Sequence, residues 1–141
     1  SRCPAVVKMV KNEFFHLIDH LAPIQPILIT GAELAFQEFK EKYPEDLCTL
    51  TIISPCTALT IYNQQPIFTW KDFRDSRDLN FPRKTLDISP VPLGFFNPLG
   101  VKVYGASGEE KCRKLLANIP EDAELLELLW CPGGCHKGDG I

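Results

Sequence analysis

The sequence predicts an α/β fold of three layers, with a small, mostly parallel sheet flanked by helices. Three observations predict it. Segments with helical apolar spacing alternate with short β-branched runs. The runs lead directly into loops that carry turn formers or cysteine, and functional loops in such folds gather at the carboxyl ends of strands. A length of 141 residues, 45% hydrophobic and 23% charged, suits one ordinary core, so residues 1–141 read as a single domain.

The elements follow in order. Residues about 4–20 read as a helix from the spacing of Val6, Val7, Val10, Phe14, Leu17 and Ile18, with Pro4 suited to the first turn. "PILITG" (26–31) reads as a short strand closed by Gly31. Residues about 32–43 put Ala32, Ala35, Phe36 and Phe39 on one helical face, stopped before Pro44. "LCTLTIIS" (47–54) is a β-branched strand running into "PCTAL". The middle, about 63–100, is proline-rich and irregular, with one or two helical turns at "TWKDFRD". "VKVYG" (101–105) suits a strand, and Ser107 with Glu110 has capping-box spacing before "KCRKLLANI". "AELLELLW" (123–130) fits a buried strand, and its Leu/Glu content also fits a helix.

Composition excludes several functions. A net charge of −3 gives no reason to expect nucleic acid or an anionic membrane as partner. No apolar run approaches the roughly 20 residues of a membrane span. No signal peptide is visible, and the expected location is cytoplasmic. The chain starts at "SRCP" without methionine, so it is expected to be a fragment of a longer protein.

The six cysteines carry the chemistry: Cys3, Cys48, Cys56, Cys112, Cys131 and Cys135. An even count permits disulfides, but a chain with its own core and no secretory signal points to metal or redox use. Cys3 lies at a helix start, where the dipole favours negative charge. Cys56 follows one strand, and Cys131 and Cys135 follow another, so the four can converge at one sheet edge. Four thiolates suit a cubane iron–sulfur cluster or a structural zinc. One close pair and two single ligands suit zinc poorly, because zinc sites use two tight pairs. Gly133 and Gly134 let backbone N–H groups approach sulfur, and Pro132 stiffens their loop. Cys48 and Cys112 read as small apolar residues, Cys48 on a strand face with Leu50 and Ile52 and Cys112 in an amphipathic helix.

Other features read blandly. His136 is expected to face solvent. His16 and His20 have a metal-capable i, i+4 spacing but no third ligand, and read as surface. Asp72, Asp75 and Asp78 with Arg74 and Arg77 read as a solvated charged face. Neither a phosphate-binding glycine loop nor a Ser-His-Asp pattern is evident.

At the cysteines the sequence resembles the iron-only ([FeFe]) hydrogenase family, in the C-terminal domain of its large subunit. "RCPAVVKMV" is similar to the family's Cys-Pro helix opening, and "ISPCTAL" to its Pro-Cys turn. "ELLWCPGGCHKGDG" is similar to its acidic and Cys-x-x-x-Cys glycine loop, through Glu127, Cys131, Cys135, Gly138 and Gly140. The resemblance implies that Cys3, Cys56, Cys131 and Cys135 ligate a 4Fe-4S cluster. In active relatives the residue matching Cys135 also bridges to a di-iron centre that handles hydrogen, with a cysteine as proton relay. It further implies a ferredoxin-type electron partner or a fused signalling domain.

The departures fall on the di-iron centre. Arg2 stands at the relay cysteine, and Leu59 and Tyr62 replace a lysine that binds cyanide and a glutamate of the proton path. Leu129 and Trp130 replace Met and Ala, and Asp139 interrupts a glycine triplet. The segment between the second and third motifs looks shortened, so the fold is expected to be reduced relative to the two-lobed hydrogenase domain. The expected function is therefore a 4Fe-4S redox or sensory module, with the di-iron subcluster unlikely and no catalytic residue assigned. The alternatives are an active hydrogenase with an atypical proton path, and a metal-free or zinc interaction domain.

Overall fold

The computed structural model describes residues 2–61, 66–79, 87–89 and 92–140. Helix α1 spans Pro4–Glu13, with Pro4 in its first turn and Cys3 at its N-cap in extended conformation. The single helix expected over 4–20 is two pieces. At Phe14 the backbone leaves helical geometry, and Phe15–His20 wind as a tighter 3-10 helix. With three residues per turn, that winding sets Leu17 one turn beyond Phe14. Both pack against the core formed by Val6, Met9 and Val10.

The segment "PILITG" is helix, not strand. Helix α2 covers Ile27–Lys42, and the N–H groups of Ile29 and Thr30 bond to the Pro26 carbonyl at 3.0 and 3.2 Å. Helical phasing buries Ile29 against Ile52 and Leu59, and that packing outweighs the β-propensity of the Ile-Leu-Ile-Thr run. Gly31 lies inside the helix with open space around it.

Strand β1 (Ile52–Ser54) pairs in parallel with β2 (Ile67–Thr69), with Ile52 opposite Ile67. The expected strand over 47–54 thus keeps only the residues that β2 can match. Cys48, placed on a strand face by its alternation, lies before β1 and is half-buried. Helix α3 (Trp70–Ser76) follows β2 at once, with Thr69 Oγ1 accepting the Asp72 N–H at 3.0 Å.

Strand β3 (Val103–Ser107), helix α4 (Glu109–Ala117) and strand β4 (Leu125–Leu129) form a βαβ unit, and β3 and β4 run parallel. The expected capping box is absent. Ser107 closes β3, and Gly108 caps α4 at φ +98. The ambiguity at 123–130 resolves to a strand, with Glu127 and Leu129 both 2% exposed. The α/β class and the parallel pairing hold, with the strands in two separate parallel pairs. The larger core joins α1, β3 and α4 through Val6, Met9, Val10, Ala106, Cys112 and Leu116, with Leu126 and Leu128 of β4 packed against it. Cys112 is wholly buried and its thiol donates to the Leu129 carbonyl at 3.3 Å. Burial pushes that thiol up to about 11, so it behaves as the packed apolar residue its helical position suggested.

Candidate metal centre

Each motif has its own local reason for its shape. Cys3 is buried at the α1 N-cap, and its sulfur accepts the Trp130 N–H at 3.5 Å, which ties it to the end of β4. Cys56 is held by Ser54, which is 1% exposed. Ser54 Oγ accepts the Cys56 N–H at 3.0 Å and donates to the Cys56 carbonyl at 3.3 Å, turning the chain through Pro55. Cys131 opens a turn in which the Gly134 N–H bonds to its carbonyl at 3.0 Å. Ser107 Oγ accepts the Gly133 N–H at 2.7 Å and donates to the Cys131 carbonyl at 3.3 Å. The N–H groups of Gly133 and Gly134 thus go to protein acceptors, and both glycines serve the loop by their positive φ.

The rest of this loop docks on the Cys56 segment. The Gly140 N–H bonds to the Pro55 carbonyl at 3.0 Å, and the Lys71 N–H to the Gly140 carbonyl at 2.9 Å. A Cβ on Gly138 would lie 2.1 Å from the Pro55 oxygen, so only glycine fits there. Asp139 accepts both the Thr57 N–H, at 3.0 Å, and the Thr57 hydroxyl. It thereby caps the short 3-10 helix Thr57–Ile61 that follows Cys56. Burial pushes the Asp139 carboxyl up, but the bonds from Thr57 outweigh it and hold the carboxyl below its ordinary value. The residue that interrupts the glycine triplet is a fastener between two motifs.

Of the four thiols expected to act together, Cys131 lies within electrostatic reach of the other three, and Cys3 within reach of Cys56 and Cys135. Burial raises Cys131 to about 11, and the nearby Cys56, Cys3 and Cys135 sulfurs add to the rise. Loss of hydration also raises half-buried Cys56 and, although the residue is exposed at the surface, Cys135, and Cys3 adds to both. Clustered thiolates repel, and a cation or cationic cluster is what relieves that repulsion. The donor set is all sulfur, which selects soft metals and iron–sulfur clusters. As arranged, no group of three or more His, Cys, Asp or Glu among the described residues can hold a single metal ion. The all-sulfur donor set is the part of the site that fits an iron–sulfur cluster.

Around the thiols, two departures have structural consequences. Leu59 is 3% exposed and belongs to the smaller core with Ile29 and Ile52, Cys56 packing beside it. Arg2 pairs with buried Glu127, whose second oxygen accepts the Gly94 N–H at 2.6 Å. Tyr62 lies outside the described residues.

His136 corrects an expectation. It is not solvent-facing: both ring nitrogens are buried with no partner among the described residues. The ring lies against the glycine loop, its Cε1 3.9 Å from where a Gly133 Cβ would stand. His16 and His20 are exposed, as expected, and so are Asp72, Asp75 and Asp78.

Known proteins add one finding to this geometry. Residues 1–66 match the family model described as the iron only hydrogenase large subunit, C-terminal domain. The match covers residues 1–66 of 141, under half of the chain. The match contains the hydrogenase-like Cys3 and Cys56 motifs and stops before Cys131. No curated protein and no solved structure matches the chain. No helix among the described residues is long and apolar enough to cross a membrane.

Sequence reasoning missed Ser54, Ser107 and the Arg2–Glu127 pair. Opposite charges at two motif positions were a usable signal for the pair. Ser54 carried no sequence signal, and the capping-box spacing at Ser107 pointed to a helix start rather than to its bonds with Cys131 and Gly133.

Proposed function

We propose that this hydrogenase-like domain binds a 4Fe-4S cluster through Cys3, Cys56, Cys131 and Cys135 and serves as a redox or sensory module without hydrogen chemistry. The observation that carries the reading is that the three cysteine-bearing segments meet: the Cys3 sulfur accepts the Trp130 N–H beside Cys131, and the Gly140 N–H of the same loop bonds to the Pro55 carbonyl beside Cys56. Leu59 supports the loss of hydrogen chemistry. Where the resemblance implies a lysine near the di-iron centre, a leucine fills the core, and leucine makes no charge-assisted hydrogen bond. Arg2 stands at the relay position and is committed to Glu127. When bound, the cluster supplies one-electron chemistry. The chain's residues would hold it, with Cys3 tied to the end of β4 through the Trp130 N–H and Cys56 fastened through Asp139. The partners are a ferredoxin-type electron carrier or a fused signalling domain.

Anaerobic reconstitution tests the reading. About four irons and four sulfides per chain are expected, lost when Cys131 and Cys135 are both changed to serine. Absence of iron uptake by the unaltered chain would sink it.

A second reading, a metal-free interaction domain, draws on the lack of any single-ion arrangement among the described residues. Metal analysis of protein purified without air separates the two.

A further inference from the structure

A cleft of about 610 Å³ lies beside α1, within the size range of small-molecule sites. Val6 and Val10 of α1, Leu116 of α4 and Leu126 of β4 line it, and the first three are buried. Ile24, Leu99 and Ile119 line it as well and are 55%, 63% and 37% exposed, so they form an apolar lip. Exposed apolar side chains scattered singly are ordinary, but several around one concave apolar cleft mark a binding site. The polar residues of the cleft decide what it takes. Arg2 and Glu127 pair with each other, and the second Glu127 oxygen accepts the Gly94 N–H. They present no net charge, and a cationic ligand finds no free buried carboxylate. Glu124 is exposed at the rim, one of its oxygens accepting the Lys102 N–H at 2.7 Å, and its charge opposes an anionic ligand. His20, also exposed at the rim, has a side chain with no hydrogen bond among the described residues. An imidazole nitrogen suits a hydroxyl partner.

We infer that this cleft binds a neutral amphiphile, an apolar chain or ring system that ends in a hydroxyl. The apolar body lies against Val10, Leu116 and Leu126, and the hydroxyl meets His20 at the rim. The site stands apart from the cluster reading, although Cys3 lines the same cleft.

The test titrates the full chain with N-phenyl-1-naphthylamine, an uncharged probe that fluoresces in apolar sites. The bound probe is then displaced with 1-dodecanol, dodecanoate or dodecylammonium. One saturable site per chain is expected, with 1-dodecanol the best competitor. Leu99→Glu and Ile24→Glu set a charge in the lip at exposed positions and should weaken the probe by about tenfold or more. Leu99→Trp narrows the mouth without a charge and should weaken it too. Leu34→Glu, exposed on α2 and outside the cleft, should leave binding unchanged. His20→Phe should weaken 1-dodecanol by about two- to tenfold, the worth of one hydrogen bond. If the glutamate variants fail to fold, Leu99→Trp and His20→Phe carry the test. Binding without saturation, an equal loss in Leu34→Glu, or a charged competitor that outdoes 1-dodecanol overturns the inference. An unchanged 1-dodecanol affinity in His20→Phe overturns the placement of the hydroxyl. A concentration-dependent dimer that Leu99→Glu abolishes also overturns it, because the cleft would then be an interface between copies. Iron uptake by the same chain tests the cluster reading separately, so either can fail alone.

Discussion

The two parallel pairs differ in what supports them. The β3–β4 pair shares with α1 and α4 a core that buries Val6, Met9, Val10, Ala106, Cys112 and Leu116. The β1–β2 pair has three residues per strand and a core of Ile29, Ile52 and Leu59. Its main helix, α2, buries Ile29 and leaves Leu34 and Phe39 exposed. Cys3, Cys131 and Cys135 are attached to the larger unit, and Cys56 comes from the smaller. Any group held by all four thiols therefore bridges a firm half and a weakly packed one. The loop through Gly138, Asp139 and Gly140 fastens them together.

The largest expected effect breaks the firm half. Leu129 is 2% exposed on β4, so Leu129→Ala should cost about 2–5 kcal/mol and lower the global denaturation midpoint. Leu59→Ala removes the same atoms from a smaller cluster that can relax, and should fall at or below the low end of that range. Hydrogen exchange separates the cases: Leu59→Ala should release β1 and β2 amides while those of β3 and β4 stay protected. Equal losses of protection in both pairs would show that the halves do not differ.

The next effect is on the fastener. Gly138→Ala places a methyl 2.1 Å from the Pro55 carbonyl oxygen, and backbone must move. Overpacking of this kind costs about 1–3 kcal/mol. The expected signature is faster exchange of the Gly140 and Lys71 amides, whose acceptors belong to this junction. Iron uptake should fall with it if Cys56 is a ligand. Unchanged protection at both amides would mean the junction does not depend on that approach.

The same division shows what was legible in the sequence. The α1 start and the parallel α/β class were readable, Pro4 having a positional meaning, whereas 123–130 suited a strand or a helix and its pairing with β3 decides for the strand. The weak half was misread where local preference and tertiary packing disagree. Ile27–Thr30 looks β-branched and extended, yet it is helical because that phasing is what delivers Ile29 to Ile52. At the candidate site, motif order singled out the four cysteines. Their supports were not legible, since Ser54, Ser107 and Asp139 act through bonds to residues 2 to 82 positions away. Asp139 was legible only as an interruption of a glycine pattern. Its job as a cap needed the position of Thr57.

The smallest effect sharpens the comparison through pH. The Asp139 carboxyl is pushed up by burial, but the bonds from the Thr57 hydroxyl and N–H prevail and hold it below its ordinary value. A carboxyl lowered in the folded state contributes stability that is present above its unfolded value, about 3.9, and is lost as pH falls through the lower folded value. Docking of the loop on the Cys56 segment should therefore be complete at neutral pH and weaken below about pH 4. Asp139→Asn keeps an acceptor oxygen for one bond and loses the charge. It should cost about 0.5–2 kcal/mol at neutral pH and flatten the acid dependence of Thr57 amide exchange. Asp139 also raises the Cys56 and Cys131 thiols by its negative charge, so its removal relieves the thiol set while loosening the junction. An Asp139→Asn chain with the same acid dependence as the unaltered one would show that the two halves are held together at some other point.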